Sequence, residues 1–319
     1  MKKKILNLIA GVAVFMIFAA PSISFDAMIP SLLNLPDHIE SIAIIDRSKR
    51  DTKFINVLEG GITGESIGQD EIASKMCIQG LYNQLTNTGK LKVIRPGIQM
   101  KGSDGPTDFA HPLPRDIVTK LCKENGVDAI ISLEYFDTDY VGDQMKAKVG
   151  FRLYDPAIKG LSDQYALTHT VHVDRRNPDF IDLVTSYMDA DAIKNLSYEA
   201  GVIYGQRIAP YWIRISRVYY NRPKRDNNLA FGARMMEVND WDSAIPALEE
   251  AVRNGKRKVQ GRAAHNLAVI YEILGDCEKA KEWAQKAWGM YRNKDSKEYT
   301  YALNQRIREI EVLKQQTGV

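Results

Sequence analysis

Cysteine is scarce: Cys77, Cys122 and Cys277 are the only three in 319 residues. So odd and sparse a set is no disulfide framework. Each reads as a small buried hydrophobe, with a Cys77–Cys122 bridge as the alternative in an oxidising compartment. Charge of one sign is also missing, since 43 Lys and Arg face 40 Asp and Glu for a net charge of +3. That balance does not point to a polyanion, and no nucleic-acid partner is expected. Catalytic signatures are absent too. There is no nucleophile elbow, no His/Glu set at metal-ligand spacing and no paired-carboxylate motif. His111 stands alone in a loop, and His169 and His172 fall on opposite faces of one strand. The glycine-rich stretch Gly60–Gly68 lacks the Lys-Ser/Thr ending of a phosphate loop and misses the dinucleotide spacing. Its neighbours Glu65, Asp70 and Glu71 put carboxylates where an anion needs bare amides, so it reads as an entry loop. Neither catalysis, nor a cofactor, nor a metal is expected.

What is present begins at the N-terminus. Met1-Lys2-Lys3-Lys4 is a basic start, Ile5–Ala20 an apolar run, and Pro21-Ser22-Ile23-Ser24 a small, turn-prone end. The run is short for a membrane span, which needs about 20 apolar residues. Residues 1–24 therefore read as a secretory signal peptide, with an uncleaved anchor as the alternative. Either reading places the rest of the chain outside the cytoplasm, in the periplasm or at the outer membrane. No cysteine directly follows the run, so the usual lipid-attachment residue is missing.

Ala27–Pro36 reads as a connector and Ser41–Asp46 as a buried strand ending in a charged cluster, Asp46–Asp51. The cluster reads as a solvated loop, with a ligand site at the strand's end as the alternative. A helix follows to Thr88, then a strand at Leu91–Arg95, a helix at Arg115–Asn125 and a strand at Val127–Glu134. Alternation of apolar and polar residues marks strands around Met145–Leu153 and Tyr165–Val173. Asp191–Ile208 is a helix whose Gly201 and Gly205 allow close approach to the sheet, and Tyr211–Tyr220 is a last strand. The pattern predicts an α/β or α+β domain over 37–220, a mixed sheet with flanking helices, and a polar linker at 221–227.

Beyond the linker two windows share one layout. Leu229-Ala230-Phe231-Gly232 precedes Trp241-Asp242-Ser243-Ala244, and His265-Asn266-Leu267-Ala268 precedes Cys277-Glu278-Lys279-Ala280. The offset from Ala244 to Ala280 is 36 residues, close to the about 34 of a tetratricopeptide helix–turn–helix. Residues 228–319 resemble such repeats, with Lys297–Gln315 as an amphipathic capping helix. Small residues at Gly232, Ala244, Ala268 and Ala280 let paired helices nest, and Leu248, Ala251, Ala284 and Ala287 close the core.

The resemblance implies a docking face for other protein chains, lined by Leu229, Ala233, Met236, His265, Val269 and Glu272. The alternative is that this groove is filled by the N-terminal domain or the capping helix. Leu229 and Ala233 stand where the subset that binds peptide tails has polar clamp residues. The whole layout is similar to Bacteroidota envelope proteins of unknown function, often lipoproteins. More loosely, the first domain resembles small α/β domains of periplasmic assembly factors such as the TolB N-terminal domain. The expectation is a non-enzymatic exported scaffold with unidentified protein partners. The alternatives are a component of a secretion or surface assembly with an oligomerising α/β domain, or a ligand-binding or hydrolytic α/β domain with a repeat tail.

Overall fold

A computed structural model describes residues 21–48, 69–103, 105–141, 144–158, 161–172, 181–221 and 226–318. The leader up to Ala20, the Gly60–Gly68 loop and most of the 221–227 linker lie outside the described residues. The elements are β1 (Ser22–Ile29), β2 (Ser41–Asp46), α1 (Gln69–Thr86), β3 (Lys92–Ile94), α2 (Arg115–Asn125), β4 (Ala129–Val141), β5 (Gln144–Tyr154) and β6 (Asp163–His172). Then follow α3 (Ile181–Ile208), β7 (Tyr211–Val218), α4 (Asn227–Glu237), α5 (Trp241–Asn254), α6 (Arg257–Ile273), α7 (Cys277–Gly289) and α8 (Asp295–Thr317). A mixed α/β region thus precedes an all-helical one. By compactness the chain forms two bodies, each discontinuous in sequence. One is Met28–Ile213 with Ile310–Val319, and the other is Arg214–Glu309 with the N-terminal residues up to Ala27.

The first body is built on a five-stranded sheet in the order β3-β2-β4-β5-β6. β2 runs parallel to β3 and to β4, while β4–β5 and β5–β6 are antiparallel. The β-branched run of β2 is buried on both faces, as an inner parallel strand requires. Ile42 and Ile44 meet Cys77, Leu81 and Leu85 of α1 and Leu196, Ala200 and Tyr204 of α3. Ala43 and Ile45 meet Val118 and Cys122 of α2 on the other side. Cys77 and Cys122 therefore belong to cores on opposite faces of the sheet, and all three thiols are buried and free. This removes the bridge alternative. Burial, with Asp128 and Asp155 nearby, pushes the Cys122 thiol up to about 11.

The small residues of α3 serve a different contact from the one expected. A Cβ on Gly201 would overlap the Cys77 carbonyl oxygen, and one on Gly80 would overlap that of Tyr198. A Cβ on Gly205 would come within 2.6 Å of Gln84 Cγ. The glycines thus bring α3 against α1, not against the sheet. Helix α3 also begins at Ile181 instead of Asp191.

The second body holds the paired helices. The α4–α5 and α6–α7 turns repeat one construction, with a left-handed residue followed by an aspartate cap. Asn239 has φ 57° and Gly275 φ 85°. Asp240 then accepts from the Ser243 N–H at 3.1 Å, and Asp276 from that of Lys279 at 3.0 Å. A Cβ on Gly232 would lie 2.6 Å from Leu248 Cγ, and Ala244, Ala251, Ala280, Ala284 and Ala287 are all buried. Tyr299 and Leu303 of α8 complete this core, whereas Tyr301 is exposed.

Strands β1 and β7 form a separate two-stranded sheet. Ser24 Oγ lies 2.7 Å from Ser216 Oγ, and the Tyr219 N–H donates to the Pro21 carbonyl at 3.0 Å. This corrects two expectations: residues 27–29 are strand and not connector, and β7 is not part of the five-stranded sheet; residues 22–24, read as the end of the leader, also lie in β1. Ile23 and Phe25 alternate with Ser22, Ser24 and Asp26, a period-2 pattern overshadowed by the apolar run before it.

Gly201→Ala is expected to lower the stability of the first body by about 1–3 kcal/mol, because the added methyl meets main chain that cannot rotate away. Denaturant unfolding of the variant beside Gly289→Ala, where nothing lies within 4 Å of the added carbon, checks this; only the first should shift the midpoint downward.

Candidate functional site

The strand order β3-β2-β4 reverses direction at β2, and such a switch point normally opens a ligand crevice beyond the carboxyl ends of the strands. Here the chain fills it. Asp46 exchanges main-chain hydrogen bonds with Ile98 at 3.0 Å and Met100 at 2.9 Å, and the Arg47 N–H donates to the Leu133 carbonyl at 2.7 Å. At Gly102 a Cβ would overlap the Arg47 carbonyl oxygen, so only glycine lets this segment cross. Asp46 and Arg47 are buried, contrary to the solvated loop expected from their charge.

Arg47 reaches the fully buried Glu134 of β4 through Nη1, at 3.0 and 2.9 Å to the two carboxylate oxygens. Tyr154 donates to Glu134 Oε1 at 2.9 Å, and Arg152 Nη1 donates to Oε2 at 3.4 Å and to the Ala110 carbonyl at 2.6 Å. Arg47 Nη2 donates to the carbonyl of His111 at 3.2 Å. Burial, followed by the Glu134 charge, raises the Tyr154 phenol above its ordinary value. Two guanidinium groups and a phenol occupy the carboxylate, and through Arg47 and Arg152 it ties the loop at Ala110 and His111 to β4. A cavity of about 560 Å³ opens instead at the amino ends of β2 and β3, lined among others by Asp37, Glu40, Lys90 and Lys92. A smaller one of about 250 Å³ touches Asp46, Lys75 and Arg95. Among the described residues, no three His, Cys, Asp or Glu side chains are grouped to hold a metal ion.

The groove expected between the inner helices is occupied by the protein's own main chain. Leu229, Ala233, Met236 and Val269 are at most 1% exposed, His265 4% and Glu272 3%. None of the six lines an open face, so the filled alternative holds. The filler is the end of β7 and the residues after it. Asn266 of α6 clamps Tyr220: its Oδ1 accepts from the Tyr220 N–H at 2.8 Å and its Nδ2 donates to the Tyr220 carbonyl at 2.9 Å. His265 Nε2 lies 3.0 Å from the Val218 carbonyl and Nδ1 2.9 Å from Ser296 Oγ. The carbonyl can only accept, so the ring carries its proton on Nε2 and Ser296 donates to Nδ1. Arg217 forms a two-pronged pair with Glu272, Nε to Oε2 and Nη2 to Oε1, both at 2.7 Å. Tyr299 donates to the same Glu272 at 2.5 Å, and burial followed by that carboxylate lifts its pKa well above the ordinary value.

Sequence reading named His265 and Glu272 but missed Asn266, Arg217 and Tyr220. The available signal was their polarity. Every residue from Ala263 to Glu272 in α6 is buried, and a helix enclosed on all sides needs a partner for each polar group it carries. The Asn266 pattern, one side-chain amide bridging both polar groups of an extended residue, is the chemistry of main-chain recognition.

Glu134→Ala should cost about 3–5 kcal/mol, because it leaves two buried guanidinium groups uncompensated; equilibrium unfolding measures it. His265 supplies a pH test. Burial, its first cause, holds its pKa below the ordinary value, so the unfolded chain binds the proton more readily. Stability of the helical body should therefore fall as pH drops below about 6.5. His265→Asn should flatten that slope in thermal melts between neutral and mildly acidic pH.

Two family models match the sequence. Residues 39–220 match "Domain of unknown function (DUF8603)", and residues 230–310 match "Domain of unknown function (DUF6340)". No curated protein matches. Among solved structures, the hypothetical protein CT253 from Chlamydia trachomatis is similar at 11% identity and TM-score 0.30, over 53% of this chain and 96% of that one. A minor lipoprotein from Acinetobacter baumannii is similar at 10% identity and TM-score 0.25, over 52% and 90%. Lipoprotein GNA1162 from Neisseria meningitidis is similar at 13% identity and TM-score 0.24, over 49% and 98%. Because the first model spans more than half of its length, the chain belongs to the DUF8603 family.

Proposed function

We propose that this protein is a non-catalytic, exported protein-binding scaffold of the cell envelope, acting through a helical array of tetratricopeptide type. The observation that supports it most is the Asn266 clamp on Tyr220. The array is built to hold an extended strand through its main chain, and at present it holds its own. Partners then meet its outer faces, where Phe231 and Tyr301 are exposed; large aromatics of this kind dominate binding energy at protein interfaces. The basic, apolar N-terminal start supports export. A second reading has its own support. β6 is the outer strand of its sheet, and it runs for ten residues. Such an edge can pair with another chain, so the α/β region would serve as an oligomerising part of a larger assembly.

Photo-crosslinking residues placed at Phe231, Tyr301 and, for comparison, Lys123 on α2 test the first reading in intact cells. Protein adducts from the two array positions and not from Lys123 are expected. Equal adducts from all three, or none from the array, would remove the helices from the account. Light scattering on the purified chain tests the second, which requires an assembly larger than a monomer.

A further inference from the structure

We infer that one end of the helical body docks on an anionic phospholipid surface. The two turns at this end are α5–α6 and α7–α8. They touch directly: Arg257 Nη2 donates to the Met290 carbonyl at 3.4 Å, and Asn293 Nδ2 to that of Gly261 at 3.2 Å. Six exposed cations gather there, Lys256, Arg257 and Lys258 from the first turn and Arg292, Lys294 and Lys297 from the second. The exposed acids among them are Asp295, which already accepts from the Tyr220 hydroxyl at 2.5 Å, and Glu298. Between the cations stand Met290, 61% exposed, and Trp288, 39% exposed, with the Lys297 ammonium 5.9 Å from the Trp288 ring. A net charge of +3 for the whole chain is thus a poor description of this end.

The placing of the cations runs against local helix preference. Helices α4, α5 and α7 each start on an aspartate cap, but α6 starts on Lys256 with no capping side chain and no acid in its first turn. Positive charge at the positive end of a helix is unfavourable, so Lys256, Arg257 and Lys258 stand at the start of α6 at a cost to the fold, whereas the first turn of α8 holds Asp295 and Glu298.

One feature favours lipid over an acidic protein. The apolar tips of Met290 and Trp288 amid these cations suit the boundary between headgroups and acyl chains. The inference rests on the envelope reading for its setting, but not on the array binding any protein.

The test is flotation of the full chain with vesicles of phosphatidylcholine alone or with phosphatidylglycerol added. Binding is expected only with the anionic lipid, and should weaken as salt rises. Lys256→Glu with Lys258→Glu should lower the partition coefficient by roughly tenfold or more, while leaving thermal stability unchanged or higher because acids now sit at the start of α6. Lys120→Glu with Lys123→Glu, an equal change in net charge on α2, should bind as the parent does. Equal binding to both vesicle types, or a patch variant that floats like the parent, would assign any attachment to the apolar run and overturn the inference. So would failure of the parent to float with anionic vesicles, which would leave an acidic protein as the patch's partner and the crosslinking test unaffected.

Discussion

The stretch Ala263–Glu272 of helix α6 is buried throughout, and it carries His265, Asn266 and Glu272 into that enclosure. Polar groups buried without partners cost about 1–3 kcal/mol each, so the surroundings of α6 must satisfy all three. The segment from Arg217 to Tyr220 does most of this, with Ser296 and Tyr299 of α8. Because Tyr219 in turn bonds Pro21, the same requirement ties Pro21, Arg217–Tyr220 and the first turns of α8 to α6. A groove that would otherwise be open is closed by the need to satisfy its own floor.

The same logic shapes the α/β region. The reversal of strand order at β2 offers a crevice, and the loop from Ile98 to His111 closes it by binding Arg47 and leaning on Glu134. Buried charge here fixes a loop. With the customary ligand position filled and Glu134 fully engaged, the region presents a sheet with a long outer strand, and its cavities lie elsewhere. Both regions thus spend internal polar groups on their own main chain. What each offers outward is surface: aromatics on the helices, a strand edge on the sheet and a basic end on the array.

That basic end shows why overall charge is a weak guide. Lys256 and Lys294 are far apart in sequence, and acids elsewhere in the chain nearly cancel them in the sum. Antiparallel helices bring alternate turns to the same end, so residues from two turns add locally while the total stays near neutral.

Much of the fold was legible because it rests on local pattern. The buried run Ser41–Asp46, the alternation of β5 and the alanine and glycine positions of the paired helices follow from periods of 2 and 3.6, and the structure carries each of them. The candidate site was not legible in the same way. Leu229, Ala233, Met236, His265, Val269 and Glu272 were read as a docking face and are buried, because a periodic pattern says only that a face is covered, never by what. Whether the cover is a partner or residues 217–220 depends on contacts between segments tens of residues apart in the chain. The sequence by itself determined which elements form and which of their faces are apolar, since those are properties of neighbouring residues. Only the tertiary structure decided that the groove holds its own strand and that six cations share one end, because hydrogen bonding and charge act through space.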